Sequence, residues 1–255
     1  MKIGIIGTGL IGGSIALKLK EKNFTNFVYG IDQNEYNLNK ALELNIIDEK
    51  AGFETGIQNS DLIIIAIPVD SARKILPDVL DLINDNQVVM DVGSTKSGIV
   101  DSIKNHPNRK RFVAFHPMWG TENAGPNAAT KDSFTGKAAV ICNKEESDDN
   151  ALELVEELIK TLEMHPIYMN ADAHDVHTAY ISHISHITSY ALANTVLEKE
   201  REEDTIFQLA SSGFSSTVRL AKSHPEMWVP IFRQNKENVL DVLNEHITQL
   251  RKFKS

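Results

Sequence analysis

The chain has 255 residues, 42% hydrophobic and 24% charged, with 14 Gly, 8 Pro and a single cysteine. That composition excludes a disulfide-stapled miniprotein, a disordered chain and a fibrous repeat, and is enough to bury a sizeable core. A formal net charge of −9 opposes nucleic acid and anionic lipid at long range, so neither is expected as a partner. Nor is a membrane span expected, because the longest apolar run, Leu62–Val69, is far short of the roughly 20 residues that one needs. Cys142 has no internal partner, and Met1-Lys2 leads into a short apolar run without a cleavage pattern, so a cytoplasmic location is expected.

In chain order, β-rich runs alternate with helix-period segments. Lys2–Ile6, Phe27–Ile31, Leu62–Ile67, Gln87–Asp91, Arg111–Phe115 and Lys137–Cys142 read as strands, several of them apolar on both faces. Ile11–Lys22, Glu35–Leu44, Ser71–Leu82, Lys96–Lys104 and Asp149–Glu163 read as helices, and Pro166–Met169 as an edge strand. Repeated βαβ predicts an α/β fold, a Rossmann-type doubly wound sheet, over residues 1–169. Beyond it no strand alternation persists; helical patterns over Asp172–Arg201, from Thr205 and over Pro230–Lys252 predict an all-helical domain at 170–255. Its apolar faces exceed what one Rossmann domain covers, which predicts a homodimer. The charged run 198–204 reads as a solvated helix end.

Gly7-Thr8-Gly9-Leu10-Ile11-Gly12 follows the first strand and opens a helix, the context in which G-x-G-x-x-G signals a dinucleotide site. Gly7 permits the tight turn, Gly9 lets a pyrophosphate approach the backbone, and Gly12 lets helix and strand pack closely. The amides at the helix start, Leu10 and Ile11 among them, face the phosphates. Asp32, at the end of the second strand, is suited to a ribose diol and repels a 2′-phosphate, so NAD is the expected cofactor.

Asp91-Val92-Gly93-Ser94-Thr95-Lys96 ends a strand before a helix, where Ser94 and Lys96 serve either a ligand or the helix cap. The next strand runs into His116-Pro117-Met118-Trp119-Gly120-Thr121-Glu122 and a long loop, of the kind that is usually functional. His116 is either a structural histidine or a general base. The helix near 172–201 carries His174, His177, His183 and His186. At about 100° per residue these cannot converge as one four-histidine cluster; a two-histidine site with Asp172 or Asp175 stays geometrically open, but no metal is expected. Ser182, His186 and Ser189 share a face.

The motifs at 7–14, 91–96 and 116–122, together with Ser-His-Ile-Ser-His at 182–186 and Gly-Phe-Ser-Ser-Thr-Val-Arg-Leu-Ala at 213–221, resemble the prephenate/arogenate dehydrogenase family of tyrosine biosynthesis across essentially the whole chain. The resemblance implies a single-function form without a regulatory or mutase domain. The reaction implied is NAD-dependent oxidative decarboxylation of prephenate to 4-hydroxyphenylpyruvate, the alternatives being arogenate to tyrosine or another Rossmann-plus-helical dehydrogenase of β-hydroxyacid type. By the same resemblance His116 is the catalytic histidine and Ser94 the hydroxyl that orients it. Arg219 takes a substrate carboxylate, and His186 lies near the substrate side chain, where tyrosine also binds. Glu122, Thr121 and Ser182 are implied as further substrate contacts. Two positions depart from the family: Ser215 stands where some relatives carry a lysine, and Trp119 where a small residue is common.

Overall fold

The computed structural model describes residues 1–203 and 205–254, so Asp204 of the charged run and Ser255 lie outside the described residues. The chain divides into two compact units, Met1–His174 and Asp175–Ser255.

The first unit is built on one eight-stranded sheet. Its strands are β1 (Lys2–Ile6), β2 (Phe27–Ile31), β3 (Glu49–Lys50), β4 (Leu62–Ile65), β5 (Val88–Asp91), β6 (Phe112–Pro117), β7 (Ala138–Cys142) and β8 (His165–Met169). They lie in the order β3-β2-β1-β4-β5-β6-β7-β8. Every pairing is parallel except β6 with β7, where His116 faces Val140 across an antiparallel ladder.

The helices of this unit are α1 (Leu10–Glu21), α2 (Glu35–Glu43), α3 (Phe53–Gln58), α4 (Val69–Leu82), α5 (Ser97–Ser102) and α6 (Asp149–Thr161). The strands are apolar on both faces because each face meets a layer of helices. Ile3, Ile5, Leu62, Ile64, Val88, Met90, Val113 and Phe115 pack with Ile15 and Leu19 of α1 and Val155 and Leu158 of α6. The alternate positions Ile6, Ile63, Ile65, Val89, Phe112 and Ala114 pack with Leu76 and Val79 of α4 and Ile99 of α5. This is the expected doubly wound α/β architecture. The structure adds β3 and α3, whose Glu49–Lys50 and six-residue helix are too short and too polar for periodicity to reveal.

The second unit is helical. α7 (Ala171–Thr178) runs across the division between the units. One turn of π-helix at Ala179–His183 follows, then α8 (Ile184–Glu200), α9 (Ser212–Thr217), α10 (Pro225–Gln234) and α11 (Lys236–Arg251). The sequence pattern at 230–252 thus covers two helices rather than one. The break falls at the buried Asn235, whose Nδ2 donates to the Asp175 carbonyl at 2.6 Å and meets His183 Nδ1 at 3.2 Å. The described helices include none long and apolar enough to cross a membrane.

One carboxylate organises the carboxyl end of the central strands. Asp91, ending β5, is fully buried; its Oδ2 accepts from Lys96 Nζ, also fully buried, and from the Gly93 amide at 2.8 Å. Its Oδ1 accepts from the Phe115 amide on β6 at 3.4 Å. Lys96 stands at the N-cap of α5, as the helix-cap alternative has it, but its side chain makes no cap hydrogen bond and reaches Asp91 instead. Removing one member of such a pair strands the other charge in the interior, so Asp91→Ala is expected to cost about 3–5 kcal/mol. A urea midpoint lowered at unchanged slope measures this; a loss under about 1 kcal/mol would show that the pair does not hold the strand ends.

Candidate active site

The glycine turn joins β1 to α1 at the carboxyl edge of the parallel strands, where open α/β sheets take ligands. Gly7 has φ +99°, and a Cβ there would lie 2.4 Å from the Ala66 carbonyl oxygen. A Cβ at Gly12 would lie 2.3 Å from the Gly7 carbonyl oxygen. Both glycines are thus required by the chain's own packing. Gly9 is different: a Cβ there would meet no protein atom within 4 Å, although Gly9 is the N-cap of α1 and leaves that helix start without a side-chain cap. The chain's own packing does not call for glycine here, and the open space beside the Leu10 and Ile11 amides is where a pyrophosphate would approach.

Asp32 sits half-buried beyond β2. Its Oδ2 accepts from the Thr8 amide at 3.0 Å and the Thr8 hydroxyl at 3.2 Å, and its Oδ1 from the Asn34 amide at 2.9 Å. The carboxylate therefore braces the glycine turn, and Oδ1, with one donor accounted for there, keeps acceptor capacity for a diol. The residues present fit a dinucleotide.

His116 occupies the carboxyl end of β6 and is 9% exposed. Its Nδ1 is 2.8 Å from Nε2 of His174, which is 1% exposed, and the two rings meet edge to face at 72°. Ser94, expected to orient His116, is half-buried in the turn after β5 and makes no hydrogen bond to His116 among the described residues. The sequence offered no sign of the His174 contact, which spans 58 positions. His174 entered there only as a possible metal ligand. Among the described residues no group of three or more His, Cys, Asp or Glu is arranged to hold a metal ion.

Thr121 and Glu122 are half-buried in the segment between β6 and β7, where Thr121 Oγ1 accepts from the Asn123 amide at 3.2 Å. That segment is anchored on α1. The Thr130 amide donates to Ser14 Oγ at 2.9 Å, and Lys131 pairs with Glu21 at 2.6 Å. Trp119, the departure from the family pattern, packs edge-on against the buried Phe134 at 5.1 Å.

Ser182, His186 and Arg219 belong to the second unit. The π turn ends just before α8, and His186 Nδ1 donates to the Ser182 carbonyl at 3.1 Å. The His186 ring stacks on Trp228 at 3.5 Å. Burial holds its imidazole below the usual histidine range, the Ser182 carbonyl opposes this, and the positive charge of Arg219 adds to it. Ser189 links α8 to the segment bearing Arg219: its hydroxyl donates to the Thr217 carbonyl and accepts from the Ala221 amide, both at 3.0 Å. Arg219 itself is exposed. Trp228 is buried, yet its Nε1 has no hydrogen-bond partner among the described residues.

The glycine geometry separates two effects. Gly12→Ala is expected to lower the melting temperature, because backbone must move to admit the methyl group. Gly9→Ala is expected to leave the melting temperature within a degree or two and to weaken NAD binding, since the methyl group stands where the pyrophosphate approaches. Thermal melts and calorimetric NAD titrations on both variants check this; undiminished NAD affinity in Gly9→Ala would remove the turn from the cofactor site.

Two family models together cover nearly the whole chain. Residues 15–168 match the prephenate dehydrogenase nucleotide-binding domain, a match that begins just after the glycine turn, and residues 170–255 match the prephenate dehydrogenase dimerization domain. A prephenate dehydrogenase of Bacillus subtilis is 33% identical over 98% of this chain and 68% of its own length. The crystal structure of prephenate dehydrogenase from Aquifex aeolicus in complex with hydroxyphenyl propionate and NAD+ superposes with a TM-score of 0.91 at 30% identity, covering 100% of this chain and 89% of that one. Synechocystis arogenate dehydrogenase gives 0.75 at 25% identity, covering 99% and 90%. With both halves matched and the fold shared along its full length, the chain belongs to the prephenate dehydrogenase family.

Proposed function

We propose that the chain catalyses NAD-dependent oxidative decarboxylation of prephenate to 4-hydroxyphenylpyruvate. The observation that carries this reading is His116, a buried histidine at the carboxyl edge of the sheet on which the glycine turn also lies. The relatives named for prephenate, one of them holding NAD+ and a hydroxyphenyl ligand, support prephenate over arogenate.

When bound, NAD supplies the hydride acceptor. Gly9, Leu10 and Ile11 receive its pyrophosphate, Gly7 and Gly12 shape the turn, and Asp32 takes the ribose diol and disfavours a 2′-phosphate. His116 accepts the proton of the ring hydroxyl as the hydride leaves the same carbon. Loss of the ring carboxylate as CO2 makes the ring aromatic, and His116 returns its proton to the phenolate oxygen. Ser94, at the neighbouring strand end, is assigned to the reacting hydroxyl and orients His116 through it. Arg219 pairs with a substrate carboxylate, which matters in a chain of net charge −9. His186 meets the side-chain end of the substrate, with Ser182, Thr121 and Glu122 as further contacts. The low proton affinity of His186 suits it to present a neutral ring beside Arg219.

The helical unit is assigned to homodimer formation. Its match to a dimerization domain supports this, as do Leu209 at 84% exposure and an apolar groove lined by Val196, Phe207, Leu209 and Phe214. A second copy is the occupant proposed for that surface. A reducing, cytoplasmic setting suits a chain whose single cysteine, Cys142, is buried and has no second cysteine in the sequence to form a disulfide with.

His116→Asn is expected to keep fold and NAD binding while kcat falls about 10²–10⁴-fold, the usual scale for a general base. Parallel kcat/KM measurements with prephenate and arogenate, followed as NADH absorbance, are expected to favour prephenate. Wild-type turnover in His116→Asn would sink the mechanism, and a preference for arogenate would move the substrate assignment to the alternative. Light scattering at micromolar concentration is expected to read twice the chain mass; a monomer would overturn the dimer.

A further inference from the structure

Two imidazoles joined nitrogen to nitrogen need one N–H and one lone pair, so the contact between His116 Nδ1 and His174 Nε2 admits two arrangements of neutral rings. If His174 Nε2 carries the hydrogen, His116 Nδ1 accepts it and His116 holds its own proton on Nε2, the form unable to act there as a base. If His116 Nδ1 carries the hydrogen, His174 Nε2 accepts it and the His116 Nε2 lone pair is the basic site. Only the second arrangement also survives protonation of His116, because the imidazolium still donates from Nδ1 to the same lone pair.

His174 is well fixed for such a role. It lies in the first turn of α7, where its amide donates to the Asn170 carbonyl at 3.1 Å and the Asn170 side chain accepts from the Ala173 amide at 2.7 Å. The α7 start is in turn bonded to the strand end after β7, since the Ala171 amide donates to Asn143 Oδ1 at 2.8 Å. The His174 ring is therefore delivered by backbone anchored within the sheet unit. At 1% exposure it is shielded from the water that would otherwise exchange with it.

We propose that His174 is a positioning residue for the reaction: its Nε2 accepts the His116 Nδ1–H, fixes the tautomer with the lone pair on Nε2, and stabilises the imidazolium formed when His116 takes the substrate proton. This rests on the reading of His116 as the base. In the step itself the substrate O–H bond breaks and a bond from hydrogen to His116 Nε2 forms, while the hydride passes to NAD. The His116 Nδ1–H stays in place throughout, and His174 neither gains nor loses a proton. An acceptor that is itself uncharged spares the interior the cost of burying a carboxylate at this point.

The test combines kinetics with ¹⁵N NMR of the imidazoles in the full-length protein. In the wild-type chain the His116 ring is expected to show a protonated Nδ1 and an unprotonated Nε2. His174→Leu is expected to lower kcat by at least about 10-fold while KM for prephenate and NAD affinity change little, staying short of the ~10⁴-fold scale on which a wrong histidine tautomer costs a serine protease. His174→Gln, whose amide oxygen can accept the same hydrogen, is expected to recover most of the loss. A wild-type spectrum with the proton on Nε2 overturns the proposal, whether or not the variants fold. So does His174→Leu with full kcat alongside an inactive His116→Asn, or His174→Gln as poor as His174→Leu. An active His116→Asn would instead strike the assignment of the base, leaving the tautomer to be read from the spectrum alone.

Discussion

The arrangement around His116 depends on a carboxylate that never meets solvent. Asp91 is held in the interior by Lys96, and one of its oxygens also takes the Gly93 amide while the other takes the amide of Phe115. Ser94 lies inside the turn so closed, and His116 is the next residue after Phe115. The ends of β5 and β6 are consequently tied at the level of the chemistry, by bonds that water does not weaken. A desolvated ion pair is a poor device for stability in itself, since well-packed apolar side chains do as well. Its value here is geometric, because apolar contacts have no direction and would leave the turn free to shift against the neighbouring strand.

The second unit uses neutral polar groups for the same purpose. Ser189 both donates to and accepts from the backbone on either side of Arg219, so an exposed guanidinium is carried on a segment whose own position is set by a buried hydroxyl. Asn235 does likewise at the break between α10 and α11, where its side chain reaches the Asp175 carbonyl and His183.

What the sequence disclosed follows the physics of each element. Strands such as Leu62–Ile65 are covered on both faces and so appear as unbroken apolar runs, which made the doubly wound sheet and the change to helices after it legible. β3 and α3 are short and polar and left no period to detect. Apolar spacing continues through Asn235, so two helices read as one; their separation comes from a tertiary hydrogen bond that no local pattern encodes. A constant 100° step likewise hides the π turn at 179–183, which resets the phase between α7 and α8. Among the site residues, the three glycines are evident as a motif, yet only the structure distinguishes the two that packing demands from Gly9. The His174 contact with His116 joins residues distant in sequence and carries no spacing signature.

The one antiparallel pairing in the sheet also bears on how such a chain can diverge. Because β7 runs back beside β6, with His116 facing Val140, the excursion that carries Thr121 and Glu122 leaves and re-enters the sheet at adjacent points on a single edge. Its ends are thus closed by the ladder whatever lies between them, and doubling the length of a flexible closed loop adds only about 0.6 kcal/mol of closure entropy. Ahead of the anchored stretch that carries Thr130, Lys131 and the buried Phe134, residues can be inserted or exchanged without re-threading the sheet. The fold therefore confines sequence drift beyond β6 to a stretch where drift is thermodynamically inexpensive, while the strand that bears His116 stays constant.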